Sequence, residues 1–202
     1  MKIYCTRNEL NRAINNVSHS IPTRTPSPIL EGILIETKGD RMYLTATDTN
    51  MTIESNISVD SEGDVSFVIE EKNFANIVNK LPEEEVLMDF NHEKNQIKIN
   101  SGKSSSTFNC FSADEFPRFN IGEGQKIILS KKDIKNLIRK TSFSASADEL
   151  NGVLTGILIE LGEGNLRMVA VDTFRMAIYN AKVDTDEKLS IVVPAKLLGE
   201  VS

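Results

Sequence analysis

The feature that most constrains the fold of this 202-residue chain is an internal repeat. Residues 1–78 align with residues 125–202 without a gap, at an offset of 124 positions. The two segments share about twenty identities, whereas ordinary composition would give about five. The match is strongest where residues 30–36 fall on residues 154–160. The repeat predicts two domains of one fold, 1–124 and 125–202, which divide at Gly122-Glu123-Gly124.

The second copy is shorter than the first. It stops at Ser202, which matches residue 78 of the first copy, and the first copy continues from there to residue 124. A partial domain leaves apolar surface and a sheet edge exposed. We therefore expect the second domain to be truncated and the natural protein to continue.

Each copy is predicted to begin with a short strand and an amphipathic helix. The N-cap candidates are Thr6, supported by Glu9 in a capping box, and Ser130. Apolar positions recur at helical spacing in both copies. They are Leu10, Ala13, Ile14 and Val17 in the first helix, with Ile134, Leu137, Ile138 and Thr141 at the matching places in the second.

Further along, short apolar runs between turn residues predict strands. They cover 29–37, 41–47, 65–69, 86–90, 96–100 and 107–111 in the first copy and 153–161 and 166–171 in the second, and 70–80 is a predicted helix. One domain would then contain two strand-helix-strand-strand-strand units. This order predicts an α+β fold in which a few helices cover one face of antiparallel sheets.

Charge and cysteine usage limit the functional class. The net charge of −6 and the pI of about 5.1 argue against a compact nucleic-acid binder, although only the face that meets phosphate has to be basic. No apolar run approaches the roughly 20 residues of a membrane span, and the N-terminus lacks a signal-peptide core. Cys5 and Cys110 stand far apart, which disfavours a structural zinc site and fits a reducing cytosol. The sequence predicts a cytoplasmic protein without a membrane segment.

Two Asp-Thr pairs are the strongest candidates for catalysis. Asp48-Thr49 and Asp172-Thr173 occupy the same place in the two copies, as the carboxylates of a duplicated aspartic-type hydrolase would. Such a site needs a glycine next, but Asn50 and Phe174 follow here. The pattern favours an Asx turn at the end of a strand in each copy, and the hydrolase is the alternative.

No other catalytic motif is present in the sequence. His19 and His92 are the only histidines, and neither belongs to a nucleophile, base or metal-ligand pattern. Both are predicted to be surface or turn residues. The sequence therefore indicates a non-catalytic protein without a cofactor or a metal.

The second predicted amphipathic helix is basic on the side away from its apolar stripe. Its cations are Lys131, Lys132, Lys135, Arg139 and Lys140, and a solvated helix face is the simplest explanation for them. The first helix is also poor in acids, with Arg7 and Arg12 among asparagines and Glu9 as its one acid, and Lys72 recurs as Lys196. Diffuse basic contacts of this kind suit a surface that passes over phosphates without reading bases.

Short segments along the whole chain carry a resemblance to a known family. They are Val17-Ser18, Arg24, Pro28-Ile29-Leu30, Leu44-Thr45-Ala46-Thr47-Asp48, Leu81-Pro82, Asp114-Glu115-Phe116-Pro117, Leu154, Gly156 and Val192-Val193-Pro194. In their order and spacing the sequence resembles the bacterial DNA polymerase III beta subunit, or beta sliding clamp. The resemblance implies a DNA-clamp fold of repeated domains, with antiparallel sheets outside and helices lining the inner face.

The resemblance also implies how the chain would meet DNA. It would supply the first clamp domain and part of the second, without the third, and in the family two three-domain chains close into a homodimeric ring around double-stranded DNA. The DNA-binding positions carried over are Arg24, Lys72, Lys80, Lys131, Lys135, Arg139 and Lys196. The segment 144–151 matches a family loop that approaches DNA, but it holds Asp148 and Glu149 and lacks the family's basic and aromatic residues.

A pocket for short peptides of the polymerase III alpha subunit and the clamp loader is implied as well. Its matching positions are Leu154, Asp172, Thr173, Phe174, Arg175 and Met176. The family usually has Thr-Asp-Gly-His-Arg-Leu where this chain has residues 171–176, so the Gly and His are missing here. An apolar socket beside one cation suits a hydrophobic and acidic peptide.

The subunit contact of the family falls on the first domain. The implied interface residues are Ile77, Leu81, Ser106 and Phe108, and an ordinary capped edge strand over 104–110 is the alternative. A scaffold that binds only proteins is a third interpretation of the chain, and it predicts no salt-dependent association with DNA.

Overall fold

Residues 1–118, 127–185 and 187–201 are described by a computed structural model. The chain divides into two units, Met1–Asn120 and Ile121–Ser202. The predicted junction Gly122-Glu123-Gly124 lies outside the described residues. Among those that are described, no helix is long and apolar enough to cross a membrane.

Within residues 1–118 the first unit runs twice through the order strand, helix and three strands. The first run comprises β1 (Lys2–Thr6), α1 (Arg7–Ser18), β2 (Gly32–Lys38), β3 (Arg41–Thr47) and β4 (Thr52–Ser58), followed by the short β5 (Asp60–Ser61). The second run comprises β6 (Ser66–Glu70), α2 (Glu71–Asn79), β7 (Glu85–Asn91), β8 (Gln96–Ser101) and β9 (Ser104–Asn109), followed by the short β10 (Phe111–Ser112). The order confirms the predicted plan and locates β4, which the apolar pattern did not find.

From its first helix onward, the second unit repeats the first run and the beginning of the second. The predicted opening strand of the second copy is wrong over the described residues 127–130, which form no strand. The elements of the second unit are α3 (Lys131–Thr141), β11 (Gly156–Gly162), β12 (Asn165–Val171), β13 (Met176–Lys182), β14 (Leu189–Pro194) and α4 (Ala195–Val201). Strand register is repeated too, since Gly32 lies opposite Glu70 in the first unit and Gly156 lies opposite Pro194 in the second. The repeat in the sequence is therefore a repeat of strand pairing.

The sheets are antiparallel throughout the described strands. In the first unit their orders are β5-β1-β7-β8-β9 and β10-β6-β2-β3-β4, and in the second the order is β13-β12-β11-β14. The second-unit sheet reproduces the β4-β3-β2-β6 part of the first unit. This arrangement is the predicted α+β fold.

Each amphipathic helix begins at its predicted cap. The Thr6 hydroxyl oxygen accepts a hydrogen bond from the Glu9 amide at 3.3 Å, and the Ser130 hydroxyl oxygen accepts one from the Asp133 amide at 3.1 Å. Both bonds satisfy amides that the helix itself leaves without an acceptor. The two caps are equivalent, because Asp133 takes the place that Glu9 has in α1.

The apolar stripes hold the helices against the sheets. Leu10, Ala13, Ile14 and Val17 of α1 are fully buried in a core formed by residues of both sheets of the first unit. In α3, Leu137, Ile138 and Thr141 are buried, and Ile134 packs at the margin of the second core. Each buried Leu or Ile contributes about 1.5–3 kcal/mol to the free energy of folding. Burial of the stripes leaves the polar side of each helix in solvent.

Two predicted strands begin later than their apolar runs. The runs predict strands from residues 29 and 153, but the strands begin at Gly32 and Gly156. Pro28–Glu31 is a 3₁₀ turn, and Glu149–Thr155 consists of 3₁₀ turns that are separated by a kink at Gly152. Each glycine donates its amide to the carbonyl three residues earlier, which closes the last 3₁₀ turn. The apolar residues before Gly32 and Gly156 led to a strand prediction, because apolar content alone does not distinguish a 3₁₀ turn from a strand.

We expect a side chain at Gly156 to destabilise the second unit. A Cβ there would overlap the Val192 side chain and lie 3.2 Å from the Val193 carbonyl oxygen. Gly156→Ala should lower the free energy of unfolding by about 1–3 kcal/mol, as measured by hydrogen exchange of β11 and β12 amides in increasing urea. Gly162→Ala is the matched control in the same strand, since a Cβ there meets nothing within 4 Å. Equal losses in the two variants would contradict the packing explanation.

Candidate functional site

The cations predicted to face DNA are all exposed, but they lie on several elements. Arg24 lies in the segment between α1 and the first 3₁₀ turn, Lys72 lies on α2, and Lys80 follows α2. In the second unit, Lys131, Lys135 and Arg139 lie on α3 and Lys196 lies on α4. Apart from Arg24, which lies in a connecting segment, these cations lie on helices or at their ends, and none lies in a sheet.

The helix α3 carries the densest group of cations. Lys131, Lys135 and Arg139 are four residues apart, which places their side chains along one side of the helix. Within the described part of the second unit, ion pairs join Arg167 to Glu160 at 3.7 Å and Arg175 to Asp172 at 3.0 Å, and none involves these three cations. Cations without acidic partners produce a local positive potential on a chain whose net charge is −6.

The corresponding face of α1 is weaker in charge. Arg12, Asn15 and Asn16 are exposed there. Arg7 is not a free surface cation, because its guanidinium donates to the Leu81 carbonyl oxygen at 2.8 Å and pairs with Glu84 at 3.5 Å. The expectation that Arg7 belongs to the open basic face of α1 is therefore wrong.

Both repeated aspartates form Asx turns. The Asp48 Oδ1 accepts hydrogen bonds from the Asn50 and Met51 amides at 3.0 and 2.7 Å. The Asp172 Oδ1 accepts bonds from the Phe174 and Arg175 amides at 2.8 and 2.9 Å. These bonds confirm the turn interpretation of both pairs, and they give the aspartic-type hydrolase no support, because one oxygen of each carboxylate is engaged by its own turn.

In the second turn, the Asp172 carboxylate is stabilised by its hydrogen bonds and orients the Arg175 side chain. The Phe174 amide lowers the pKa of Asp172, and the amide and guanidinium of Arg175 act in the same direction against the opposing effect of desolvation. The Arg175 Nε donates to the Asp172 Oδ2 at 3.0 Å. Arg175 is therefore oriented by the same carboxylate that shapes the turn.

Exposed apolar side chains lie in and directly after this turn, and Leu154 lies apart in sequence, before β11. Phe174 is 95% exposed and Met176 is 62% exposed, while Leu154 is half-buried. The Arg175 guanidinium lies 5.9 Å from the centre of the Phe143 ring, which is itself exposed. Apolar surface beside an oriented cation is typical of a protein-docking surface. Phe143 was not predicted from the sequence, because the matching residue of the first copy is His19 and no motif marks the position.

The predicted interface residues of the first unit differ in accessibility. The strand β9 lies at the edge of its sheet, with Ser106 and Phe108 half-buried. The Phe108 ring contacts Phe74 edge to face at 6.3 Å, so that ring also packs inward. Ile77 is half-buried, but Leu81 is 3% exposed and belongs to the core. Leu81 therefore offers no contact surface on this unit.

The cysteine and histidine side chains show no arrangement that indicates a reactive site among the described residues. Burial raises the pKa of the Cys5 and Cys110 thiols to about 12, so thiolate is scarce at neutral pH. His19 and His92 are exposed, as predicted. Across the described ranges, no group of three or more His, Cys, Asp or Glu side chains is arranged to hold a metal ion.

Comparison with known proteins agrees with the repeat and the fold. The family descriptions "DNA polymerase III beta subunit, N-terminal domain" and "DNA polymerase III beta subunit, central domain" match residues 1–120 and 128–202. The chain belongs to the DNA polymerase III beta subunit family.

Individual relatives support the same family. The beta sliding clamp of Halalkalibacterium halodurans is 35% identical over 94% of this chain and 53% of its own length, and that of Bacillus subtilis is 33% identical over 100% and 56%. The crystal structure of the DNA polymerase sliding clamp from Bacillus subtilis superposes on the whole chain with a TM-score of 0.94, at 31% identity and over 56% of that structure. This confirms the DNA-clamp fold, and the chain spans about half the length of these relatives.

The lowered pKa of Asp172 gives a pH-dependent prediction for the turn of this family member. A carboxylate with a lowered folded pKa stabilises the turn fully above its ordinary value of 3.8, and the stabilisation is lost as the pH falls through the folded value. In an acid titration followed by NMR, the Phe174 and Arg175 amide shifts should change with a midpoint below 3.8. The Asp172→Asn variant is the control and should show no such transition. A midpoint at or above 3.8 in the wild-type chain would contradict this account.

Proposed function

We propose that the protein containing this chain is a DNA sliding clamp, a non-catalytic processivity factor that encircles duplex DNA and tethers the replicative polymerase. The observation that carries the proposal is the exposed face of α3, where Lys131, Lys135 and Arg139 lack acidic partners among the described residues. Membership of the family, whose curated members are named beta sliding clamps, supports the same function.

The chemistry of the proposed DNA face favours sliding over tight binding. Its proposed contacts are Arg24, Lys72, Lys80, Lys131, Lys135, Arg139 and Lys196, all exposed. Flexible cations attract phosphates through screened, salt-sensitive interactions and carry no base specificity by themselves. The net charge of −6 limits nonspecific adhesion elsewhere on the surface. Such a protein needs no cofactor, because no bond is made or broken.

The Asp172 turn is the proposed docking site for partner peptides of the polymerase III alpha subunit and the clamp loader. Leu154, Phe174 and Met176 supply apolar surface, and Arg175 supplies a cation. Asp172 and Thr173 begin the turn that presents Phe174 and Arg175 on the surface. This combination suits a short peptide with apolar anchors and an acidic residue.

The edge of the first unit is the proposed subunit contact of a homodimeric ring. The β9 edge offers unpaired backbone groups for sheet continuation, with Ser106, Phe108 and the nearby Ile77 partly accessible. Leu81 supports that surface from the core.

The ring is tested by the topology of its DNA substrate. A family-length protein that includes residues 1–202 would be loaded by its clamp loader onto a nicked circular duplex, which is then cut once. We expect retention on the circle and rapid loss from the linear form, because an encircling protein leaves through a free end. The same linear DNA with both ends blocked is the control and should retain the protein. Equal retention on circular and open linear DNA would refute encirclement.

The docking site is tested by removing its apolar anchor. In the family-length protein, Phe174→Ala should weaken binding of a labelled alpha-subunit peptide by about fivefold or more, since truncating a central aromatic contact typically costs over about 1 kcal/mol. Fluorescence anisotropy measures the change. Ile191→Ala is the matched control, because Ile191 is 42% exposed but lies on β14, at the opposite sheet edge from β13. Similar losses in both variants would place the peptide elsewhere.

A further inference from the structure

A groove of about 360 Å³ lies between α3 and α4 of the second unit. The cations Lys132, Lys135 and Arg139 line it, together with Asn136 and Ser142. Ile138 and the Gly199 backbone of α4 also contribute to its walls. The groove thus has positive charge and neutral hydrogen-bond donors along its rim, while most of its accessible wall is apolar.

The repeat provides an internal comparison for this groove. At the matching place in the first unit, the Ser18 hydroxyl donates to the Glu71 Oε1 at 2.7 Å. Ser142 occupies the position of Ser18, but Ala195 occupies the position of Glu71. The second unit therefore keeps the hydroxyl and lacks the carboxylate that engages it in the first.

The cations of the groove are also specific to the second unit. Lys132, Lys135 and Arg139 correspond to Asn8, Asn11 and Asn15 in the first unit, all of them neutral. At the positions that line the groove, the second unit has gained these three cations and lost one, because Asn136 stands where the first unit has Arg12. Its second helix has lost the Glu71 carboxylate at Ala195 and gained Glu200 in place of Asn76, so the net change at the groove is positive. A change in this direction at one place favours an anion.

We infer that the groove between α3 and α4 is a binding site for a phosphate group. The Lys132, Lys135 and Arg139 side chains supply charge-assisted hydrogen bonds to its oxygens, and Ser142 and Asn136 supply neutral donors. A DNA backbone phosphate as its source rests on the proposed function, whereas a free phosphate would use the same chemistry. It follows that the second unit holds phosphate directly and that the first, with Glu71 in place, does not.

The test restores the missing carboxylate in the 202-residue chain. Ala195→Glu introduces the acid that the first unit has at Glu71, and Arg139→Gln removes one cation while keeping a long polar side chain. Asn180→Glu is the charge-matched control, since Asn180 is exposed on β13 opposite Arg167 of β12, whose neighbours Leu166 and Met168 face the core. NMR of the Arg139 and Ser142 amides is followed during titration with inorganic phosphate, and then with a short DNA duplex.

The inferred site requires saturable phosphate shifts at Arg139 and Ser142. Ala195→Glu and Arg139→Gln should each weaken phosphate binding by about tenfold, while Asn180→Glu should change it less than about twofold. With duplex DNA, either groove variant should reduce the slope of log affinity against log salt by about 1, the contribution of one phosphate contact.

The outcomes separate the site from the proposed function. Phosphate shifts that are absent, or equally affected by Asn180→Glu, would overturn the site whatever the ring test shows. Phosphate binding with an unchanged duplex slope in both groove variants would support a free anion as the ligand and overturn the DNA source. Loss of both signals in Ala195→Glu and Arg139→Gln, with the control intact, supports a backbone phosphate.

Discussion

The burial of one apolar stripe on the first helix of each repeat governs the rest of this structure. Leu10, Ile14 and Val17 fix the rotation of α1 on its sheets, and Leu137 and Ile138 do the same for α3. A helix rotated about its axis would expose several apolar side chains, at about 1.5–3 kcal/mol for each. The polar side of each helix is therefore set by the core, and the surface charges are placed by it.

Within this common frame the two repeats have different surfaces. Strand register, caps and 3₁₀ entries coincide at the offset of 124 residues. The exposed helix positions do not coincide, because asparagines in α1 stand where Lys135 and Arg139 stand in α3. The two Asx turns differ similarly, since Phe174 and Arg175 replace Asn50 and Met51. A duplicated scaffold thus carries the proposed phosphate and peptide contacts mainly on its second copy.

The sequence predicted the parts of the fold that depend on strong periodicity or on a local hydrogen bond. The stripes, the Thr6 and Ser130 caps and the strand 41–47 are found where they were expected. The strands β4, β13 and β14 escaped prediction. In β4 every second residue is exposed and polar, so it contains no continuous apolar run, and β13 stands at the matching place in the second copy. Leu81 and Arg7 show a second limit, since their burial and pairing arise from contacts distant in sequence. Phe143 was missed because its role depends on its distance from Arg175.

For the proposed clamp, the helical faces and not the sheets meet DNA. This is tested most directly by adding a short duplex to the 202-residue chain at low salt and mapping the perturbed amide and side-chain NMR signals. We expect perturbations at Lys131, Lys135 and Arg139 that fade as salt is raised. Arg167 of β12 should be unaffected, because it is paired with Glu160 and lies on the sheet. Perturbations centred on Arg167 and the strands, with the α3 signals unchanged, would contradict this expectation.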